Sequence, residues 1–463
     1  MIMLASFIIY FCFLTGIGLY FYHKNNNASD YMIGNRSLNY WVTAIATQAS
    51  DMGSWLFLGF PAVVFANGLF EFWAAIGLIS FMFLSWQYIA PKLRVQTEQY
   101  NALTLSSYFS SKLKDTSGIV AFVSACITLF YFTAYITSGI VGLGRLFASA
   151  FEISYELGIV LGLLCGMTYT LIGGFLAVAW CDMFQGIFLM VMIMAVPIVA
   201  YLQSGGYTPF MQALEAKQVS LSLLNSQTSL LTALCLAAGW GLGYFGQPHI
   251  LMNFMGIDDP KKIASAKWVG LTWQMLVLSS SAAIGLVGIS FFHQGFETPE
   301  LLFVLMAKTL FPSLLAGFVL CAILAATLST MDSHILISGS TFAEDIYLKH
   351  LRKNASSVEC MWVSRAASIV LSCLALYIAS SNTSSIYTLV NYAWSGVGSA
   401  FGPLVIALLY LKGITKEGAI AGMLTGALVS GLWPLCNSCV LPMVPGFGIG
   451  FVALLVVSRL TKK

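Results

Sequence analysis

An aspartate, two hydroxyls and a glycine stand together in Ala49-Ser50-Asp51-Met52-Gly53-Ser54-Trp55, inside an apolar stretch long enough to cross a membrane. An acid at mid-bilayer costs about 2.5–3.5 kcal/mol on the insertion scale, and a glycine in the same turn weakens the helix there. Charge beside a break at that depth is the expected form of an ion or solute site rather than of a packing surface. A second patch, Ala326-Thr327-Leu328-Ser329-Thr330-Met331-Asp332-Ser333-His334, puts Ala326, Ser329, Thr330 and Ser333 at i, i+3, i+4 and i+7 on one helix face. Hydroxyls so spaced stand about 5–6 Å apart. A dehydrated monovalent cation fits between them and the carbonyls of a broken neighbouring helix. Such hydroxyls alone commonly bond back to the i−4 carbonyl and glue helices together. Asp332 in the same turns tilts the reading toward an ion.

Three further features admit two readings each. Asp182 is expected to open the sixth span, after Gly173-Gly174-Phe175-Leu176-Ala177-Val178-Ala179-Trp180-Cys181. There it either caps exposed amides or faces a cation from the cytoplasm. Trp240, Tyr244 and Pro248 recur every four residues and so share a slowly drifting face. That face is either packing or a platform for a ring-shaped solute, with a cationic amine over the aromatic rings. His249 and His334 lie within spans, as hydrogen-bonded structural groups or as a proton relay. His334 carries the more weight, because it follows Asp332 and Ser333.

Membrane helices must hold these residues. The chain has 463 residues, 59% hydrophobic and 8% charged. No soluble domain covers its surface with so few charges. Long continuous apolar runs exclude the alternating short segments of a barrel. With about 20 residues per crossing, hydropathy predicts about thirteen spans, near 3–22, 40–66, 70–91, 118–148, 154–173, 180–203, 227–254, 266–292, 309–343, 361–381, 384–411, 417–435 and 440–458. The first has neither a basic leader nor a small-residue cleavage site, so it is expected to remain as a helix. All but three of the 21 Lys and Arg residues then fall on one side, the exceptions being Arg145, Lys217 and Lys308. This asymmetry puts the N-terminus outside and the C-terminus in the cytoplasm of the plasma (inner) membrane. The net charge of +3 reports topology and gives no reason to invoke nucleic acid. The ten cysteines are scattered as small apolar residues; only Cys436 and Cys439 form a C-x-x-C, open to a disulfide near an outer loop. No zinc motif, nucleophile elbow or phosphate loop points to an enzyme. A sensor built on a fused kinase module is disfavoured by a chain that ends at Lys463.

The second to sixth spans and the seventh to eleventh form two five-helix units. An odd number of helices per unit turns the second upside down relative to the first, as in many secondary transporters. The expected boundaries are 1–39 for the first helix and loop, 40–204 and 205–412 for the two repeats, and 413–463 for the last two helices. Each repeat should open on an interrupted helix. Asp51–Ser54 interrupts the second span, and Trp240-Gly241-Leu242-Gly243-Tyr244-Phe245-Gly246-Gln247-Pro248 interrupts the seventh.

From about Ala28 to Leu432 the chain resembles the sodium:solute symporter family, its proline-carrying members above all. The resemblance rests on Ala28-Ser29-Asp30-Tyr31-Met32-Ile33-Gly34, Ala49-Ser50-Asp51-Met52, Asn101-Ala102-Leu103-Thr104-Leu105, Gly243-Tyr244-Phe245-Gly246-Gln247-Pro248-His249-Ile250-Leu251, Leu324-Ala325-Ala326-Thr327-Leu328-Ser329-Thr330, Ala343-Glu344-Asp345-Ile346-Tyr347 and Ala400-Phe401-Gly402-Pro403. It implies an all-α, LeuT-type core of inverted five-helix repeats and sodium-coupled import of proline by alternating access, or of another small amino acid or carboxylate. It implies sodium as coupling ion, no organic cofactor, and the solute and membrane lipid as partners. By position, sodium would be held by backbone oxygens of Ala49, Met52 and Ala326 and the hydroxyls of Ser329 and Thr330, with Asp51 close by. Asp182, Asp332 and Ser333 match a second cation site of some members. Gly53, Ser54, Trp55, Tyr135, Trp240, Tyr244 and Pro248 match the solute pocket. Two departures stand out: Gly53-Ser54 replaces a Ser-Gly order, and His334 replaces a glutamine.

Overall fold

The structure is a computed structural model that describes residues 2–22, 28–224, 229–292, 298–381, 384–436, 438 and 440–462. Cys439 lies outside the described residues, so the C-x-x-C pairing does too. In chain order the α-helices are α1 (Ile2–Tyr22), α2 (Ala28–Ile33), α3 (Tyr40–Met52), α4 (Gly59–Asn67), α5 (Phe72–Leu84), α6 (Ala90–Gln99), α7 (Leu105–Lys112), α8 (Ile119–Phe151), α9 (Tyr155–Gln203) and α10 (Tyr207–Ala216). Then come α11 (Leu230–Gly241), α12 (Pro248–Gly256), α13 (Ile263–Phe291), α14 (Leu302–Leu310), α15 (Ser313–Thr341), α16 (Ser357–Ser380), α17 (Ile386–Tyr410), α18 (Lys416–Leu432) and α19 (Met443–Thr461).

Among the described residues, ten helices are long and apolar enough to cross a membrane, and two bent pairs raise the number to twelve. Tyr155–Thr168, the first part of α9, is apolar but shorter. Helices suit this composition because each satisfies its own backbone, which lipid cannot do. Burial separates core from rim. The apolar windows of α15 and α17 are 83% and 89% buried within the protein, whereas those of α1, α16 and α19 are 28% buried. The hydroxyl face of Ser329 and Thr330 therefore sits on one of the most deeply buried helices, whereas the peripheral helices leave most of their apolar side chains on the outer surface.

The two bent pairs are the expected interruptions. The Asn39 side chain accepts from the Val42 amide and starts α3. The helix stops at Gly53 (φ 55, ψ −166), and the chain turns by 71° before continuing through Ser54–Asn67. That conformation is essentially restricted to glycine. In the second pair α11 tightens to a 3-10 turn at Leu242–Phe245, and Pro248 restarts the chain as α12, bent by 46°. Proline suits a first helical position, where its missing N–H costs nothing.

One expectation is corrected. The sixth span starts at Gly173–Gly174 rather than near residue 180: Gly174 (φ 62, ψ −163) divides α9 into two helices, in nearly the conformation that ends α3 at Gly53. A Cβ on Gly174 would approach the Tyr31 ring to 2.8 Å and its carbonyl oxygen to 3.1 Å. Asp182 therefore lies about two turns past the kink, inside the helix rather than at its start, and has no helix end to cap.

At one end of the bundle a short segment is gripped from several sides. The Arg36 guanidinium donates to the carbonyls of Met255 (2.8 Å), Thr97 (3.0 Å) and Ala102 (2.9 Å). Burial, with Arg94 nearby, lowers its pKa to about 10, so it stays charged. Beyond it, buried Asp345 accepts from the hydroxyls of Thr104 (2.6 Å) and Ser107 (2.9 Å) and from Lys349 (2.8 Å). The entry to α3, the end of α12 and the extension of α15 thus meet on residues 97–107.

Asp115 anchors the start of α8. It accepts from the Ser117 amide and hydroxyl and from the Val120 amide (2.9 Å). Burial pushes its pKa up, but these bonds and Lys416 outweigh that and hold it below the usual carboxylate value. Asp115→Ala should cost about 0.5–2 kcal/mol, as loss of a helix cap does. A depressed folded pKa stabilises above the unfolded value and is lost as pH falls through the folded one. The melting difference between wild type and variant should therefore hold at neutral pH and shrink only below about pH 4; a difference already gone at pH 6 would contradict the assignment.

Candidate functional site

The break at Gly53 faces the middle of α15. The Ser329 hydroxyl donates to the Ala49 carbonyl at 2.8 Å and lies 3.0 Å from the Ala326 carbonyl. Thr330 donates to the same Ala326 carbonyl at 3.1 Å. Thr330 also stands beside the break, since a Cβ on Gly53 would lie 3.4 Å from its Oγ1. Four oxygens from two helices thus converge, as the helical spacing anticipated. Met52, at the last turn of α3, is buried beside them. A set of neutral oxygens on a broken helix and its neighbour can take a small monovalent cation stripped of water.

Asp51 turns the other way. Its carboxylate accepts from the Tyr244 hydroxyl, which in turn accepts from Gln274 Nε2 at 2.8 Å. His249 Nε2 lies 3.9 Å from Asp51, and His249 Nδ1 is 3.2 Å from His334 Nε2. The His334 ring stacks on Tyr135 at 4.3 Å. Tyr135, Tyr244, His249, Gln274 and His334 are buried, and the Asp51 side chain is 4% exposed. Asp51 therefore has the Tyr244 hydroxyl as its hydrogen-bond donor, a partner of the kind that makes a buried acid tolerable.

Two small adjoining cavities sit at the break, each with about 10 Å³ of room for the centre of a water-sized sphere, about one water's worth. Asp51, Met52, Tyr135 and Val390 line both. Gly53, Ser54 and Thr330 belong to the first; Trp55, Trp240 and Trp394 to the second. The Trp55 and Trp240 rings meet at 4.8 Å, and Trp55 stacks on Phe60. Of the expected aromatic face only Trp240 lines a cavity. Tyr244 stands behind Asp51, and Pro248 is buried at the start of α12 outside both cavities. The reason is local: the 3-10 turn advances faster per residue than an α-helix, and extended Gln247 resets the register.

Asp182 and Asp332 meet away from this cavity. Asp182, fully buried, faces Asp332 and Ser333, while Asp332 accepts from Thr170 at 2.8 Å. The structure brings together all three residues named for a second cation site and adds Thr170.

The sequence profile of the sodium:solute symporter family matches residues 31–426. The chain belongs to the sodium:solute symporter family. It is 38% identical to the sodium/proline symporter of Escherichia coli, over 99% of this chain and 93% of that one. It is 37% identical to the osmoregulated proline transporter OpuE of Bacillus subtilis, over 98% and 94%. Among solved structures it is similar to a Na+-coupled sialic acid symporter, with a TM-score of 0.83 at 21% identity, covering 99% of this chain and 98% of the other. A nucleobase-cation-symport-1 family transporter follows at a TM-score of 0.61 and 13% identity, covering 94% and 95%. These likenesses show the fold, which is the LeuT type of inverted five-helix repeats.

Within this family member, sequence reading missed four groups around the cavity. Trp394 donates to the Trp240 carbonyl at 2.8 Å, and the Trp240 indole donates to the Tyr387 hydroxyl at 3.1 Å. Val390 lines both cavities, and Gln274 holds Tyr244. Tyr387, Val390 and Trp394 follow i, i+3, i+7 on α17, a periodicity visible in the sequence but indistinguishable there from packing.

Proposed function

We propose that this protein imports L-proline together with sodium, by alternating access across the plasma membrane. The observation that carries the reading is the hydroxyl of Ser329 on the carbonyl of Ala49, beside the bend at Gly53. The sodium ion is held by the backbone oxygens of Ala49, Met52 and Ala326 and the hydroxyls of Ser329 and Thr330. It bridges α3 and α15, which otherwise share only a hydrogen bond there. Bridging favours the arrangement that also encloses the solute, and the coupling is necessarily reciprocal. The proline ring packs between Trp55, Trp240 and Tyr135, and the half-helix start after Gly53 and Ser54 receives its carboxylate. Asp51 holds the two broken helices in register through Tyr244. Asp182, Asp332 and Ser333 offer a second cation position. Each positive charge entering a cell negative by 100 mV contributes about 2.3 kcal/mol of driving force.

The lysine and arginine asymmetry supports an N-terminus outside and a C-terminus in the cytoplasm. The breaks at Gly53 and at Gly246-Gln247 support repeats spanning 40–204 and 205–412, flanked by 1–39 and 413–463. Curated relatives named as proline carriers support proline over other small amino acids.

Labelled proline should accumulate in proteoliposomes under an inward sodium gradient and not under potassium; equal uptake in both would refute the coupling. A competition panel of small amino acids and carboxylates identifies the solute, since only a true one displaces the label. Trp240→Ala removes a ring face worth about 0.5–2 kcal/mol toward a bound ammonium. It should raise the half-saturating proline concentration roughly 2- to 30-fold while leaving the sodium dependence in place, as read from uptake titrations.

A further inference from the structure

Asp51, Met52, Tyr135 and Val390 form the boundary shared by the two cavities at the break. Their other walls differ in kind. Ser54, Ser138, Thr327 and Thr330 put hydroxyls around the first, whereas Trp55, Leu78, Trp240 and Trp394 surround the second with largely apolar groups. A solute with a charged end and an apolar ring finds a separate wall for each, and must cross the shared boundary to reach both.

That boundary decides size. Each cavity has room for about one water, so a solute gains space only where a wall yields. Asp51 is hydrogen-bonded to Tyr244, and the Tyr135 ring is stacked on His334. Met52 is unbranched and adapts to what lies beside it. Val390 is buried and β-branched, so its rotamer is stiff. Its backbone is held as well. Tyr387, one turn before it on α17, accepts from the Trp240 indole at 3.1 Å. Trp394, one turn after it, donates to the Trp240 carbonyl at 2.8 Å. The helix is thereby pinned to Trp240 on both sides of Val390. A change in the volume of this side chain is not absorbed by a shift of α17 and goes into the solute space.

We propose that Val390 is a specificity-determining residue: it sets the ring size of the solute, admitting the five-membered ring of proline and excluding a six-membered one. The assignment rests on proline being the solute, as proposed above. The charged end of the solute lies toward the hydroxyls and its ring toward the indoles. The methyl groups of Val390 then stand where an added ring carbon would go. One methylene more or less in an apolar pocket changes binding about 10- to 200-fold.

Three cyclic amino acids differ by one methylene each: azetidine-2-carboxylate, proline and pipecolate, with four-, five- and six-membered rings. Isothermal titration of the full-length protein in nanodiscs, at saturating sodium, gives the affinity for each. Wild type should bind proline most tightly. Val390→Ala should move the ratio of pipecolate to proline affinity at least tenfold toward pipecolate. Val390→Ile, which adds one methylene and keeps the branch, should move the ratio of azetidine-2-carboxylate to proline affinity at least tenfold toward the smaller ring. General loosening of the fold weakens all three alike and does not give shifts of opposite sign. If one variant does not fold, the other still decides. Unchanged ratios in a folded variant, or an equal loss for all three rings, overturn the role of Val390 while proline binding by wild type stands. If wild type binds none of the three, the proline reading itself is overturned, and this assignment with it.

Discussion

Gly53→Ala should reduce sodium-driven uptake by about 5- to 150-fold while the protein remains folded. Gly53 holds φ 55 and ψ −166, a region in which any side chain costs about 1–3 kcal/mol. An equilibrium shifted by that much changes by the stated factor. The new methyl would lie in ordinary contact with Thr330 Oγ1, 3.4 Å from the ideal Cβ, so the backbone conformation carries the effect. The strain is relieved by opening the 71° bend, which carries the Ala49 and Met52 carbonyls away from α15. Melting temperature in detergent and sodium titration of uptake separate the outcomes: a nearly unchanged melting curve with a large rise in half-saturating sodium is expected. Wild-type uptake in this variant would show that the bend has no part in ion binding.

The second large effect concerns the hydroxyls. A hydrogen bond to a charged group contributes about 1.5–3 kcal/mol, so loss of one hydroxyl ligand should weaken sodium binding about 10- to 150-fold. Ser329→Ala is expected to act more strongly than Thr330→Ala. Ser329 alone reaches both helices, whereas Thr330 bonds within its own. The two share the Ala326 carbonyl, so the double variant should lose less than the sum. At saturating sodium each single variant should recover most of its proline uptake. If instead both lowered maximal uptake without shifting the sodium dependence, the two hydroxyls would be packing groups and the ion would bind elsewhere.

Much of this site was legible because its determinants are local. Gly53, and the glycines with Pro248, announce chain breaks from the neighbouring residues alone, and Ser329 and Thr330 share a face by helical geometry alone. The fold followed from hydropathy for the same reason. What was not legible depends on partners distant in sequence or on departures from regular winding. His249 and His334 are 85 residues apart and meet only after the bundle forms. Trp394 and Tyr387 read as packing until Trp240 lies against them. Pro248 was placed on the face of Trp240 by a period that the 3-10 turn does not keep. Hydropathy sets the sixth span near residue 180, whereas the break at Gly174 starts it about two turns earlier and leaves Asp182 inside the helix.

The grip on residues 97–107 has a mechanical consequence. Arg36 ties that segment to the entry of the bent α3 and the end of α12, and Asp345 ties it to the extension of the hydroxyl-bearing α15. Both halves of the proposed ion cradle are thereby fastened to one buckle some distance along their helices. The cradle cannot be pulled apart at that end while the buckle is shut, so the wear and the heat sensitivity of each cycle should concentrate in the eleven residues 97–107, away from the proposed solute pocket.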